Sequence, residues 1–159
     1  MIQTFERDQD LVRHLKEYHN DADTRLFSVL DFASAFGSPL YALVYSKLFW
    51  PDFIELKGMI FHESIMESEE DRFRVEKALL AGQTRREIER SFNSFEIPSS
   101  FFSSNRGSTT LAEDVLLANR LGHMWRLRLL EVFPERTFTV DVECPVDEQP
   151  TIIVSQCNL

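Results

Sequence analysis

A chain of 159 residues, 43% of them hydrophobic and 27% charged, has enough apolar content for a packed core and lies outside the composition of disordered chains. Its 17 Lys and Arg against 26 Asp and Glu give a formal charge of −9, which repels nucleic acid and anionic membrane surfaces unless basic residues cluster on one face. They do not cluster: Arg85, Arg86 and Arg90 alternate with Glu87 and Glu89, and beyond Arg136 the chain carries Asp141, Glu143, Asp147 and Glu148 with no Lys or Arg.

The length implies one domain, 1–159. Two cysteines, Cys144 and Cys157, match neither a CxxC nor a metal-ligand spacing and fit a reducing, cytoplasmic setting. The first ten residues lack a basic region followed by an apolar run. No apolar stretch approaches the roughly 18 residues that a bilayer span requires, so no membrane partner is expected.

From Phe5 to Tyr18 the apolar residues Phe5, Leu11, Val12, Leu15 and Tyr18 recur at the spacing of one helical face. A second helix is expected from Thr24 to Phe36, stopping at Gly37. Ser38 as N-cap and Pro39 in the first turn then open a third helix through Phe49, which Pro51 ends. Phe53 to Leu56 and Met59 to His62 have strand character, and Gly58 offers the positive φ that a tight hairpin needs.

Helices are expected next from Glu67 to Ala81 and from Thr84 to Phe92, the latter opened by the capping box of Thr84 and Glu87. Residues 93–108 are rich in serine and read as the longest loop, although they hold Phe95, Phe101 and Phe102. A second capping box, Thr110 with Glu113, begins a long helix to Phe133. Leu111, Val115, Ala118, Gly122, Trp125, Leu129 and Phe133 fall on its apolar side, while Glu113, Arg120, Arg128 and Glu131 fall opposite. Gly122 costs a helix about 1 kcal/mol relative to Ala, and a close helix crossing is its expected return.

The period then changes. Phe138, Val140, Val142 and Cys144 alternate with Thr139, Asp141 and Glu143, and Thr151 to Ser155 supplies an antiparallel neighbour. The expected fold is α+β: a single domain with an antiparallel sheet of about four strands, in two hairpins, covered by several helices on one face.

No segment carries a specific chemical motif. His62 and Glu63 begin an HExxH pattern that fails at Met66, and His14, His19 and His123 make no ligand pair. Glu67, Glu69, Glu70 and Asp71 complement a helix macrodipole, and Asp21 with Asp23 lacks the rest of a calcium loop. GxSxG, GxxxxGK[ST] and GxGxxG are absent. No catalytic residue, metal ligand or cofactor is therefore assigned.

Trp50 and the phenylalanines around it are assigned to packing. Phe95, Phe101 and Phe102 either staple the serine-rich loop onto the domain or are presented to a partner, and they are the candidate partner-binding residues.

The run Phe49, Trp50, Pro51, Asp52, Phe53, Ile54, Glu55, followed by Gly58 to Phe61, resembles an uncharacterised family of small bacterial proteins with an FWPxF segment and a glycine-turned hairpin. The likeness continues at Trp125 and at Phe133, Pro134, Glu135, Arg136 and Phe138. The resemblance implies a bacterial protein and brings no established activity. Relatives carry an Asn-His-x-His element where this chain has Asn93, Ser94, Phe95 and Glu96, so any site those imidazoles form is lost or altered here.

The expectation is a non-catalytic, cytoplasmic protein-interaction module, of the toxin-immunity kind, that meets a basic protein and not nucleic acid. The alternative is a small-molecule-binding protein or enzyme with a pocket between helices and sheet, using His62, Glu63 or Glu96. An enclosed pocket of about 300 Å³ or more with convergent titratable groups favours the alternative, and a filled interior favours the module.

Overall fold

The computed structural model describes residues 28–97, 110–145 and 148–157. The helix expected over 5–18, the Asp21 and Asp23 pair, and Phe101 and Phe102 lie outside the described residues. The chain divides into two compact units, Met1–Ser46 and Lys47–Leu159.

In the first unit, helix α1 spans Val29–Phe36 and begins at a capping box: the Ser28 hydroxyl accepts from the Asp31 backbone N–H, and the Asp31 carboxylate accepts from the Ser28 N–H at 2.8 Å. The start is thus Val29 and not Thr24, because the box satisfies two of the amide donors that every helix start leaves open. Helix α2 spans Pro39–Phe49, the bounds that Ser38, Pro39 and Pro51 predict, and runs across the boundary between units. It buries none of its residues.

In the second unit, strands β1 (Phe53–Leu56) and β2 (Met59–His62) form the expected hairpin, with Phe53 opposite His62 and Leu56 opposite Met59. Lys57 and Gly58 both take positive φ, 54° and 81°. That pair is the type I′ geometry whose twist suits a two-residue hairpin. All four residues of β2 are buried.

A 3₁₀ turn, Glu63–Ile65, leads to α3 (Glu69–Leu80), which starts at the capping box of Ser68 and Asp71, later than the expected Glu67. Helix α4 (Arg85–Phe92) is capped by Thr84 and Glu87 as its spacing predicts.

The stretch 93–108 is not wholly a loop. Ser94–Glu96 form strand β3, with Phe95 turned inward between two exposed neighbours. Helix α5 (Leu111–Val132) opens on the Thr110 and Glu113 box. Strands β4 (Phe138–Glu143) and β5 (Thr151–Gln156) then pair antiparallel, placing Val140 opposite Val154 and Val142 opposite Ile152.

The described residues therefore make an α+β fold of five helices and two antiparallel sheets, β1-β2 and β3-β5-β4. The expected single sheet of about four strands is replaced by one of two strands and one of three. Five strands arise because β3, too short to be read locally, adds to the open edge of β5.

Helix α5 lies on β4 and β5 through Ala118, Leu121, Gly122, Trp125 and Leu129. Leu121 joins the predicted stripe, and Leu111, in the first turn, stays exposed. A Cβ at Gly122 would stand 3.2 Å from Val142 Cγ2, so the close approach that this glycine permits is helix to sheet, not helix to helix. Arg128, expected on the outer face, reaches back to donate to the Pro51 carbonyl at 3.1 Å and to Asp52 at 2.9 Å. Among the described residues no helix is long and apolar enough to cross a membrane.

Candidate functional site

Two sheet edges meet inside the second unit, and the last turn of α4 fills the gap between them with polar groups. Glu89 and Asn93 lie one turn apart and are both fully buried. One Glu89 oxygen accepts from the Ile60 N–H of β2, and the other accepts from the Gln156 N–H of β5, each at 2.7 Å. The Gln156 side-chain amide donates to the first oxygen at 2.7 Å as well.

Asn93 repeats the device. Its carbonyl oxygen accepts from the His62 N–H at 3.0 Å, and its NH₂ donates to the Ile60 carbonyl at 2.8 Å. Its backbone carbonyl accepts from the Val154 N–H at 3.1 Å. Two unlike strand edges thus exchange hydrogen bonds through side chains of a helix, since buried backbone groups left unpaired would each cost about 1 to 3 kcal/mol. Both residues serve architecture. The charged run around Glu89 gives no local hint of this, and only the long-range pairing reveals it.

Beside this seam, His62 is caged by aromatic rings. Phe53 lies 5.7 Å from the imidazole centroid, and Phe95 and Trp125 lie 5.1 Å from it. Nδ1 accepts from the Ser64 N–H at 3.2 Å and pairs with the Ser64 hydroxyl at 2.8 Å. That arrangement puts the ring proton on Nε2, which is buried and has no hydrogen-bond partner among the described residues. Burial pushes the His62 pKa down from 6.5 to about 4, against the opposing field of the Asp52 carboxylate. The ring is neutral at pH 7. It is buried among these rings and acts as a core group.

Asp52 anchors the helix-to-hairpin junction. Lys47 donates to it at 2.7 Å and Arg128 at 2.9 Å, and these bonds hold its carboxyl below the usual range. Trp50, expected in the packing, is 38% exposed and has the Arg128 guanidinium 5.9 Å from its centroid. Phe53 and Phe61 are buried as expected.

The structure places Phe95 in the core and not at the surface: it is 5% exposed, in edge contact with Trp125. Ser94 and Glu96, which flank it, point to the other side of β3 and are exposed. Of the polar groups of the alternative reading, His62 is buried while Glu63 and Glu96 are exposed. Among the described residues no group of three or more His, Cys, Asp or Glu could hold a metal ion.

Two features of the described residues are open to solvent. A cleft of about 330 Å³ is lined by Ser64, Ile65, Asp71, Arg74, Ser91 and Phe92. The other is α2, where Leu40, Tyr41, Leu43 and Val44 are 66%, 62%, 67% and 58% exposed. The Tyr41 and Tyr45 rings, one turn apart, lie tilted against each other with centroids 6.4 Å apart. From Phe32 to Ser46 the chain carries no charged side chain. Comparison of this chain with protein-family models, with curated proteins and with solved structures gives no match.

Proposed function

We propose that this is a non-catalytic protein-interaction module, a cytoplasmic bacterial protein of the toxin-immunity kind, and that α2 is its contact element. The observation that carries the reading is an eleven-residue helix that buries none of its side chains while exposing Leu40, Tyr41, Leu43 and Val44. Large apolar side chains gathered on one exposed helix mark interaction surfaces, whereas single ones are ordinary. Leu40, Leu43 and Val44 follow the i, i+3, i+4 spacing with which a helix lies in an apolar groove.

The partner that fits is a basic protein whose groove takes these anchors. The chain carries a net charge of −9, and residues 63–71 hold Glu63, Glu67, Glu69, Glu70 and Asp71 with no Lys or Arg. Such a field attracts a cationic protein over long range and weakens as salt screens it. Aromatic and aliphatic anchors then supply the affinity.

The test is capture of proteins from a bacterial lysate on the immobilised chain, beside the variant Leu40→Ser, Leu43→Ser, Val44→Ser, over a salt series. The expected result is a basic protein held by the wild type, released as ionic strength rises, and absent from the variant. Identical capture by both chains, or capture indifferent to salt, contradicts the reading.

A further inference from the structure

We infer that the cleft beside α3 and α4 is a binding site for a small zwitterion with an apolar body, the chemistry of an apolar α-amino acid. The cleft measures about 330 Å³, enough for a molecule of that size, and carries one cationic and one anionic side chain. The Arg74 guanidinium stands 3.7 Å from Asp71 Oδ1, a distance too long for a hydrogen bond, so each charge retains capacity for a ligand of opposite charge.

The cation is held in place by something other than its ion pair. Its guanidinium lies 5.2 Å from the Phe92 centroid, and Phe92 in turn packs edge-on against the buried Phe61 at 5.9 Å. This ring contact complements the cation, whose planar fork of N–H donors matches a carboxylate. Asp71 is fixed too: its other oxygen accepts from the Ser68 N–H and hydroxyl, bonds that hold its carboxyl below the usual range.

Ser64 adds an oriented acceptor. Its hydroxyl proton is drawn to His62 Nδ1, 2.8 Å away, which leaves the oxygen lone pairs for an ammonium N–H. Ile65 and Phe92 supply the apolar wall. A carboxylate at Arg74, an ammonium at Asp71 and Ser64, and a side chain on Ile65 and Phe92 use five of the six residues that line the cleft, with Ser91 completing the lining. Nothing in this depends on the role of α2.

The experiment is an amide-resolved NMR titration of the whole chain with L-phenylalanine, beside 3-phenylpropionate, which lacks the ammonium, and 2-phenylethylamine, which lacks the carboxylate. Shifts are expected at Ser64, Ile65, Ser91 and Phe92 with L-phenylalanine, and each analogue should bind about tenfold more weakly, the worth of one charge-assisted contact. Arg74→Gln, at an exposed position of α3, should weaken L-phenylalanine about tenfold and leave 2-phenylethylamine unchanged. Absence of shifts at those four amides up to about 10 mM ligand, analogues that bind as tightly as the amino acid, or an Arg74→Gln chain that binds it unchanged would each overturn the inference.

Discussion

The seam at Glu89 and Asn93 and the surface of α2 break the ordinary rule of burial in opposite directions. Inside, a carboxyl and a carboxamide are fully buried where apolar groups are usual; outside, leucines and tyrosines stand in water. The difference lies in what each set of groups has been given to bind. Each side-chain polar atom of Glu89 and Asn93 has a strand amide or carbonyl as its partner, so their burial costs little and fixes which edges meet. On α2 only Leu48 and Phe49, at its end, pack partly against the core, and Leu40, Tyr41, Leu43 and Val44 stay exposed. Polar groups satisfied within describe architecture, and the exposed apolar groups are what the proposed contact rests on.

The comparison breaks first, and hardest, at the seam. Glu89→Ala removes the acceptor of two buried backbone amides and of the Gln156 amide, and should destabilise the chain by about 4 kcal/mol in urea unfolding. If the loss stayed below about 1 kcal/mol, the level of an ordinary surface change, the carboxyl would not be joining the two sheets.

Acid probes the same interior more gently. His62 has a folded pKa near 4 against 6.5 when free, so its contribution is fully present above pH 6.5 and is lost as pH falls toward 4. Between pH 7 and 5 the unfolding free energy should fall by about 2 kcal/mol, and His62→Phe should remove most of that dependence. An unchanged pH profile in the variant would place the acid sensitivity elsewhere.

Much of the frame was legible in the sequence because its signals are local. Gly58 between two apolar runs specifies the hairpin, Thr84 with Glu87 and Thr110 with Glu113 set two helix starts, and the alternation from Phe138 onward sets β4. The starts at Ser28 and Ser68 were displaced because Asp31 and Asp71, not Glu, complete their boxes. Strand β3 was not legible, since three residues carry no period and gain their strand character from the edge of β5.

The candidate sites were less legible still. Glu89 sits in a run of alternating charge that reads as a solvated helix face, and its burial depends on strands far along the chain. Trp50 reads as core, yet the Arg128 guanidinium, from α5 far along the chain, lies over its ring, which remains partly in water. Arg74 and Asp71 belong to a helix start whose charges suit the macrodipole, and only the fold brings Ser64 and Phe92 to the same cleft. The absence of charge from Phe32 to Ser46 would by itself place α2 in a core, and exposure is a tertiary fact.

The claim on which the functional account stands is that α2 contributes contact and not stability. Urea unfolding of the Leu40→Ser, Leu43→Ser, Val44→Ser chain tests it directly. Side chains already in water have little burial to lose, so the unfolding free energy should change by less than about 1 kcal/mol with the slope unaltered. A loss of about 3 kcal/mol or more, the range for emptying a core, would mean that these residues hold the chain together, and the contact element would have to be sought elsewhere.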